Sequence, residues 1–81
     1  MPIKGLRSDL VKKLRKYSLV EKFSKASKLF QSDPRHPSLH VELMEPREFG
    51  LYSFRINRKF RAQFTIIDGE AEITDITVHY Q

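Results

Sequence analysis

The sequence predicts an α+β fold in which two N-terminal helices pack on a twisted antiparallel β-sheet. Residues 6–33 carry apolar side chains at three- and four-residue spacing, which is the periodicity of a helix, whereas residues 51–81 alternate apolar with polar side chains, as strands do. Because the helices precede the strands instead of alternating with them, the sheet should be antiparallel, with the helix pair on its apolar face. At 81 residues the chain is expected to form a single domain, 1–81.

Two helices are expected before residue 34, each with one apolar side. The apolar positions of the first are Leu6, Leu10, Leu14 and Tyr17. Those of the second are Leu19, Val20, Phe23, Ala26, Leu29 and Phe30. Ser8 is expected to cap the first helix, and Ser18 and Glu21 to form a capping box at the start of the second. Because almost no linker separates them, the two helices should form an antiparallel hairpin.

A strand is expected after the helices, at residues 39–43. Leu39, Val41 and Leu43 alternate with His40 and Glu42, so the polar face of this strand would carry a histidine and a carboxylate. This carboxylate is the first candidate for chemistry on the polar face of the sheet.

Residues 51–66 predict a β-hairpin whose register follows from its apolar faces. These faces match best when Tyr52 pairs with Phe64, Phe54 with Ala62, and Ile56 with Phe60. The loop is then 57–59, and Arg55 lies directly opposite Arg61. Like charges facing each other across two strands destabilise the pair by up to about 1 kcal/mol. An anion bound between the two arginines would remove that penalty.

A second hairpin is expected around Asp68–Gly69, because both residues tolerate the positive φ of a type I′ turn. A regular hairpin around this turn pairs Arg61 with Ile76. Alternation along the strand then places three further residues on the same face as the arginines: Thr74, Val78 and Tyr80. The same alternation points His79 to the other face, unless the strand bends or bulges near its end.

Composition limits the classes of function. The chain has 15 Lys and Arg against 10 Asp and Glu, a net charge of +5, which is typical of a small domain that contacts phosphate. It has no cysteine, so disulfides and thiolate metal sites are excluded, and a reducing compartment is expected. No apolar run approaches the roughly 20 residues of a membrane span, and no signal peptide is recognisable. We therefore expect a cytoplasmic protein without a membrane partner.

The polar face of the predicted sheet carries groups suited to metal-free cleavage of RNA. The three histidines lack the paired spacing of a metal site, and neither a glycine-rich phosphate loop nor a nucleophilic serine motif is present. RNA cleavage through the 2′-hydroxyl needs a base, an acid and cations around the transition state. Glu42, His79, Arg55 and Arg61 offer these groups, and no metal or cofactor is expected.

Three segments, in this order and spacing, resemble the RelE/ParE superfamily of type II toxin–antitoxin toxins: D-P-R-H-P-S-L at 33–39, G-L-Y-S-F-R-I-N-R-K-F-R-A-Q-F at 50–64 and D-G-E-A-E-I-T-D-I at 68–76. The resemblance covers roughly residues 6–81. The terminal His79 and Tyr80 are similar to the end of the YoeB branch, whose members are ribosome-dependent messenger RNA interferases. Family members begin with a full strand, for which only Pro2–Lys4 could serve here, so the first strand is expected to be truncated.

The resemblance implies a site and partners. The implied catalytic residues are Glu42 as base, His79 as acid, Arg61 on the phosphate and Tyr80 orienting the nucleotide. The expected RNA-phosphate ligands are Arg55, Arg58, Lys59 and Arg35. The implied partners are a cognate antitoxin and messenger RNA on the ribosome, with ribosomal RNA meeting the basic surface. Two alternatives stay open at this point: a ParE-like toxin that poisons DNA gyrase, and a degenerate, non-toxic homologue that only binds an antitoxin.

Overall fold

The computed structural model describes residues 1–78, in which two α-helices precede a four-stranded antiparallel sheet. The helices and strands are α1 (Ser8–Lys16), α2 (Val20–Ser32), β1 (Glu42–Leu43), β2 (Tyr52–Arg55), β3 (Phe60–Ile67) and β4 (Glu70–Val78). Two short 3₁₀-helices, Pro37–Leu39 and Arg47–Phe49, lie in the connections before β1 and β2. The strands neighbour each other in sequence order. The predicted α+β class is confirmed.

The apolar face of the sheet is covered by the helix pair, as the sequence predicts. Phe30 of α2 stacks on Phe54 and meets Phe64 edge-on, with ring centroids 5.0 Å apart in both pairs. Leu10 and Leu14 bring α1 into the same cluster of buried side chains. No helix within residues 1–78 is long and apolar enough to cross a membrane.

Both predicted helix caps are wrong: Ser8 lies inside α1, and Ser18 ends α1 instead of starting α2. Ser18 has φ +55°, and its N–H donates to the carbonyl of Arg15 while the N–H of Leu19 donates to that of Leu14. These two bonds form a Schellman motif that closes the C-terminus of α1. Neither helix has a side-chain cap at its N-terminus, and Ser8 is already the first residue of α1.

The strand expected at 39–43 is much shorter than predicted. Its first residue, Leu39, belongs instead to the 3₁₀ turn Pro37–Leu39, before which the ring nitrogen Nδ1 of His36 accepts from the backbone N–H of Ser38. His40 then adopts a left-handed conformation with φ +44°. Only Glu42 and Leu43 pair with β2. The proline and the local side-chain bond favour a turn over the extended chain that alternation suggested.

The register of the first hairpin is confirmed. Tyr52 pairs with Phe64, Phe54 with Ala62, and Arg55 with Arg61. Asn57 closes the loop, because its Oδ1 accepts from the backbone N–H groups of Lys59 and Phe60 at 2.9 and 2.7 Å. The two arginines therefore lie opposite each other on β2 and β3.

The second hairpin has the predicted turn but a different register. Asp68 and Gly69 both have positive φ, 52° and 78°, as a type I′ turn requires. Beyond the pair Phe64 and Ile73, however, Gln63 pairs with Asp75, which leaves Thr74 as an extra residue on β4. This is a β-bulge.

The bulge corrects the predicted arginine face. Arg61 pairs with Thr77 and not with Ile76, while Val78 pairs with Phe60. The predicted placement of Val78 on that face is therefore wrong. The physical reason is burial: Ile73 and Ile76 are three positions apart, and the extra residue lets both reach the core, where they are 3% and 0% exposed.

The N-terminal segment adds one parallel bridge to the outer edge of β4. Ile3 bridges Ala71, the N–H of Lys4 donates to the carbonyl of Ala71 at 2.9 Å, and the N–H of Ala71 donates to the carbonyl of Pro2 at 2.8 Å. The short first strand expected at Pro2–Lys4 is thus present as a single bridge.

Candidate functional site

The sheet face opposite the helices brings Glu42 close to both arginines. Tyr52 and Phe54 face the core, so alternation places Ser53 and Arg55 on the opposite face of β2. Glu42 pairs with Ser53 across β1 and β2, and Arg61 pairs with Arg55 across β2 and β3. A carboxylate and two guanidinium groups therefore occupy neighbouring positions on three adjacent strands.

Arg61 is the most constrained of these groups. Its side chain is 6% exposed. Its Nε donates to the hydroxyl of Ser53 at 2.9 Å, and its Nη2 donates to the carbonyl of Ser53 at 3.2 Å and to the carbonyl of His40. His40 lies 21 residues earlier in the chain and two residues before Glu42. Arg61 thus ties the segment that carries Glu42 to the middle of the sheet.

The charges of the three groups act on one another. Burial lowers the pKa of the Arg61 guanidinium below its usual value, Glu42 acts in the opposite direction, and the positive charge of Arg55 lowers it further. An arginine nevertheless stays charged at neutral pH. The site therefore holds two positive charges and one negative charge, a net charge that favours an anion such as a phosphodiester.

Glu42 is exposed, and it takes part in no ion pair within residues 1–78. Arg55 is half-buried, and its Nε donates to the carbonyl of Asn57 at 3.3 Å. Of the two arginines, Arg55 thus has the fewer hydrogen bonds to the protein. A carboxylate open to solvent can accept a proton, and a partly exposed guanidinium can bind a phosphate through two parallel hydrogen bonds.

The four residues expected to bind RNA phosphates are not gathered at one place. Arg55 and Arg58 line a groove of about 400 Å³ beside α2. Arg35 lines a different cavity of about 410 Å³, formed with the two prolines of the connection after α2. Lys59 places its ammonium 5.7 Å from the ring centroid of Phe60. Arg55 and Arg58 are the pair that the fold brings together.

His79 and Tyr80, the remaining two predicted catalytic residues, lie outside the described residues. Within residues 1–78 no group of three or more histidine, cysteine or acidic side chains could hold a metal ion. Ser53 is the site residue that sequence reasoning missed, although it is 2% exposed and binds Arg61 through both its hydroxyl and its carbonyl. The available indication was a small polar side chain on the arginine face, between the half-buried Tyr52 and the buried Phe54.

Known structures share this architecture at low sequence identity. A chain of the crystal structure of the heterotetrameric YoeB–YefM toxin–antitoxin complex from Staphylococcus aureus matches with a TM-score of 0.70 and 18% identity, covering 99% of this chain and 100% of that one. Another YoeB–YefM structure from the same species matches with a TM-score of 0.63 and 20% identity, and the match covers 99% of this chain and 100% of that one. YafQ from Escherichia coli strain BL21(DE3) matches with a TM-score of 0.72 and 12% identity, and the match covers 96% of this chain and 90% of that one.

A scan against protein-family models finds no match to this chain. A search of curated proteins finds none either. The structural likenesses nevertheless extend over nearly the whole chain. The chain therefore has the fold of RelE/YoeB-like toxins, as the sequence resemblance implied.

Proposed function

We propose that this protein, with residues 1–81 as one domain, is the toxin of a type II toxin–antitoxin system. Its activity is metal-free cleavage of messenger RNA in the decoding site of the ribosome. The observation that carries the proposal is the cluster of Glu42, Arg55 and Arg61 on the open face of a RelE/YoeB-like fold. A base and two cations on one face are among the groups that RNA cleavage through the 2′-hydroxyl requires.

In the proposed reaction, Glu42 takes the proton of the 2′-hydroxyl, and the resulting oxygen attacks the adjacent phosphorus. The bond from phosphorus to the 5′-oxygen breaks, and His79 gives that leaving oxygen its proton. The products are a 2′,3′-cyclic phosphate or, after hydrolysis, a 3′-phosphate, together with a 5′-hydroxyl. Tyr80 orients the nucleotide next to the scissile bond.

The two arginines have different roles in this proposal. Arg55 is half-buried and has one hydrogen bond to the protein, so it grips the scissile phosphate directly. Arg61 adds its positive charge from the buried side and holds the segment that carries Glu42. Arg58, Lys59 and Arg35 contact phosphates further along the RNA or on ribosomal RNA.

The proposed partner in the cell is a cognate antitoxin that blocks this face. The two Staphylococcus aureus structures of the same fold are toxin–antitoxin complexes, which supports an antitoxin here. A ribosome-dependent toxin acts where translation takes place, so the proposal places the protein in the cytoplasm.

The test is induced expression in a bacterial host without antitoxin, with RNA 5′ ends mapped on two transcripts. The transcripts are one message and a matched copy that lacks its start codon. We expect new 5′-hydroxyl ends only in the translated copy, and their loss in a protein carrying both Glu42→Ala and Arg55→Ala. Growth arrest with intact messages and gyrase-dependent DNA damage would instead favour the gyrase alternative. Harmless expression of folded protein would favour the degenerate one.

A further inference from the structure

A second concave site, the connection cavity, lies in the segment between α2 and β1, next to the candidate catalytic face. It encloses about 410 Å³ and is lined by six residues of one short segment: Pro34, Arg35, His36, Pro37, His40 and Val41. This volume is at the lower end of the range for small-molecule sites, roughly 300–1,000 Å³, and suits a single nucleotide. The proposed reaction gives the two histidines of the cavity no role.

The connection cavity lies close to the candidate base. His40 lines the cavity, and its backbone carbonyl accepts from Nη2 of Arg61. Glu42 follows His40 by two residues, which span at most about 7 Å of extended chain. An RNA strand whose scissile phosphate lies at the candidate catalytic face can therefore place a neighbouring base in this cavity.

Local hydrogen bonds fix the backbone around the connection cavity. The 3₁₀ turn Pro37–Leu39 follows His36, whose ring nitrogen Nδ1 accepts from the backbone N–H of Ser38 at 3.2 Å. On the other side, Oδ1 of Asp33 accepts from the backbone N–H of Arg35 at 3.3 Å. The two prolines of the segment restrict the backbone further. A segment that is already ordered loses little conformational entropy when it binds a ligand.

The hydrogen bond to His36 decides what its ring can offer to a ligand. An imidazole that accepts at Nδ1 carries its proton at Nε2. His36 therefore presents an N–H donor to a ligand and has no free nitrogen lone pair with which to bind a metal ion. In agreement, no group of three or more histidine, cysteine or acidic side chains within residues 1–78 could hold one.

The charged side chain of the connection cavity also offers donors alone. Arg35 is exposed, and it takes part in no ion pair within residues 1–78. Its guanidinium carries five N–H donors in a planar fork. In the described part of the chain, no acidic side chain lines the cavity. A ligand with two adjacent acceptors in one plane matches this fork, whereas an amino group would meet other donors.

Guanine is the RNA base that presents this acceptor pattern. Its O6 and N7 are adjacent acceptors, and a two-bond pairing of arginine with them is the commonest specific contact to a base. Adenine and cytosine carry an amino group on the same edge, and uracil offers a single acceptor there. The ring of His40 and the apolar side chain of Val41 supply surface for the faces of a base.

We propose that the connection cavity binds a guanine of single-stranded RNA, with the guanidinium of Arg35 on O6 and N7 and the histidine rings beside the base. The other N–H groups of Arg35 stay available to a phosphate. The inference rests on the proposed function for its substrate, and it gives the enzyme a preference for guanine near the scissile bond. A free guanine nucleotide offers the same base edge, so the test separates it from RNA.

The test is equilibrium binding of the full chain to two labelled 2′-O-methyl RNA strands, which lack the hydroxyl needed for cleavage. Each strand consists of uridines around one central guanosine or one central adenosine, so the two have equal charge. In fluorescence anisotropy the guanosine strand should bind at least about tenfold more tightly, as expected for one two-bond arginine contact. In NMR spectra of the ¹⁵N-labelled protein, the amide shifts specific to the guanosine strand should fall within residues 33–42.

Two variants with unchanged net charge locate the contact. Arg35→Lys keeps the positive charge but removes the fork, so the preference for guanosine should fall below about twofold. Arg15→Lys makes the same change at an exposed arginine of α1 outside the cavity, and it should leave the preference within about twofold of that of the unaltered chain. Circular dichroism verifies that both variants are folded.

Three outcomes would overturn this inference. The two strands could bind equally, or Arg15→Lys could remove the preference as fully as Arg35→Lys does. Tighter binding of guanosine 5′-monophosphate than of the guanosine strand would assign the cavity to a free nucleotide. Because no strand in these measurements is cleaved, the proposed function can hold while this inference fails. Conversely, guanosine-selective binding without cleavage of any message would contradict the proposed function alone.

Discussion

Arg61 and Arg55 face each other across β2 and β3, yet the fold uses them differently. Arg61 is 6% exposed and donates to Ser53 and to the carbonyl of His40. Arg55 is half-buried and donates only to the carbonyl of Asn57 among residues 1–78. The carbonyl dipoles around Arg61 offset part of the repulsion between the two charges. One arginine therefore organises the sheet face, and the other is open to a ligand.

Replacing Arg61 should cost more stability than replacing Arg55. Arg61→Met leaves the carbonyls of Ser53 and His40 and the Ser53 hydroxyl without their charged donor, so we expect the free energy of unfolding to fall by about 2–4 kcal/mol. Arg55→Met should change it by less than about 1 kcal/mol. Urea denaturation followed by circular dichroism measures both. Equal losses would contradict the assigned roles.

The bulge residue offers a stabilising change. The hydroxyl of Thr74 is buried without a hydrogen-bond partner in the described part of the chain. Thr74→Val removes that unpaired group and keeps the β-branched shape, so the free energy of unfolding should rise by about 0.5–1 kcal/mol. Thr65→Val, at a half-buried strand position on β3, is the control and should have a smaller effect. A loss of stability at Thr74 would contradict this account of the bulge.

The turn between β3 and β4 should be sensitive to a single added methyl group. Gly69 has φ +78°, which alanine adopts only with strain, whereas Gly5 is not held in that region. Apart from the chain neighbours, no atom lies within 4 Å of an added Cβ at either position. A difference between the two variants therefore reports backbone strain and not a steric clash. We expect Gly69→Ala to cost about 1 kcal/mol and Gly5→Ala to be near neutral or slightly stabilising. Thermal and urea unfolding of the two variants would test this directly.

The candidate base can be tested against a neighbouring carboxylate. Glu42→Gln should reduce messenger RNA cleavage by about 10²–10⁴-fold, because the amide cannot accept the 2′-hydroxyl proton. Glu45→Gln should leave cleavage within about twofold, because Glu45 is exposed and pairs with Arg47 at 3.5 Å. Single-turnover cleavage on programmed ribosomes measures both. A base role for Glu42 would be ruled out by full activity of the Gln variant.

Short-range patterns were enough to predict much of the fold. The pairing of Phe54 with Ala62, and with it that of Arg55 with Arg61, follows from matching two alternating faces around a short loop. The type I′ turn follows from the identities of Asp68 and Gly69. In each case the decisive interactions join residues that are close in sequence.

The bulge on β4 was present in the sequence but was not inferred. Its buried residues shift from odd positions, Ala71 and Ile73, to an even one, Ile76, which a regular strand cannot bury on one face. The prediction assumed a regular hairpin and therefore did not take that shift into account. The helix caps failed for a related reason: Ser18 fits an N-cap locally, but the burial of Leu14 and Leu19 favours the left-handed end of α1.

The sequence by itself determined the helix faces, the first hairpin and the presence of two arginines with a carboxylate on one polar face, because periodicity and turn chemistry act over a few residues. Only the tertiary structure decided which arginine is buried, where the bulge lies and how the groove beside α2 is lined. Those features depend on groups distant in the chain. The carbonyl of His40 reaches Arg61 from 21 residues away, and the groove joins α2 to the β2–β3 loop.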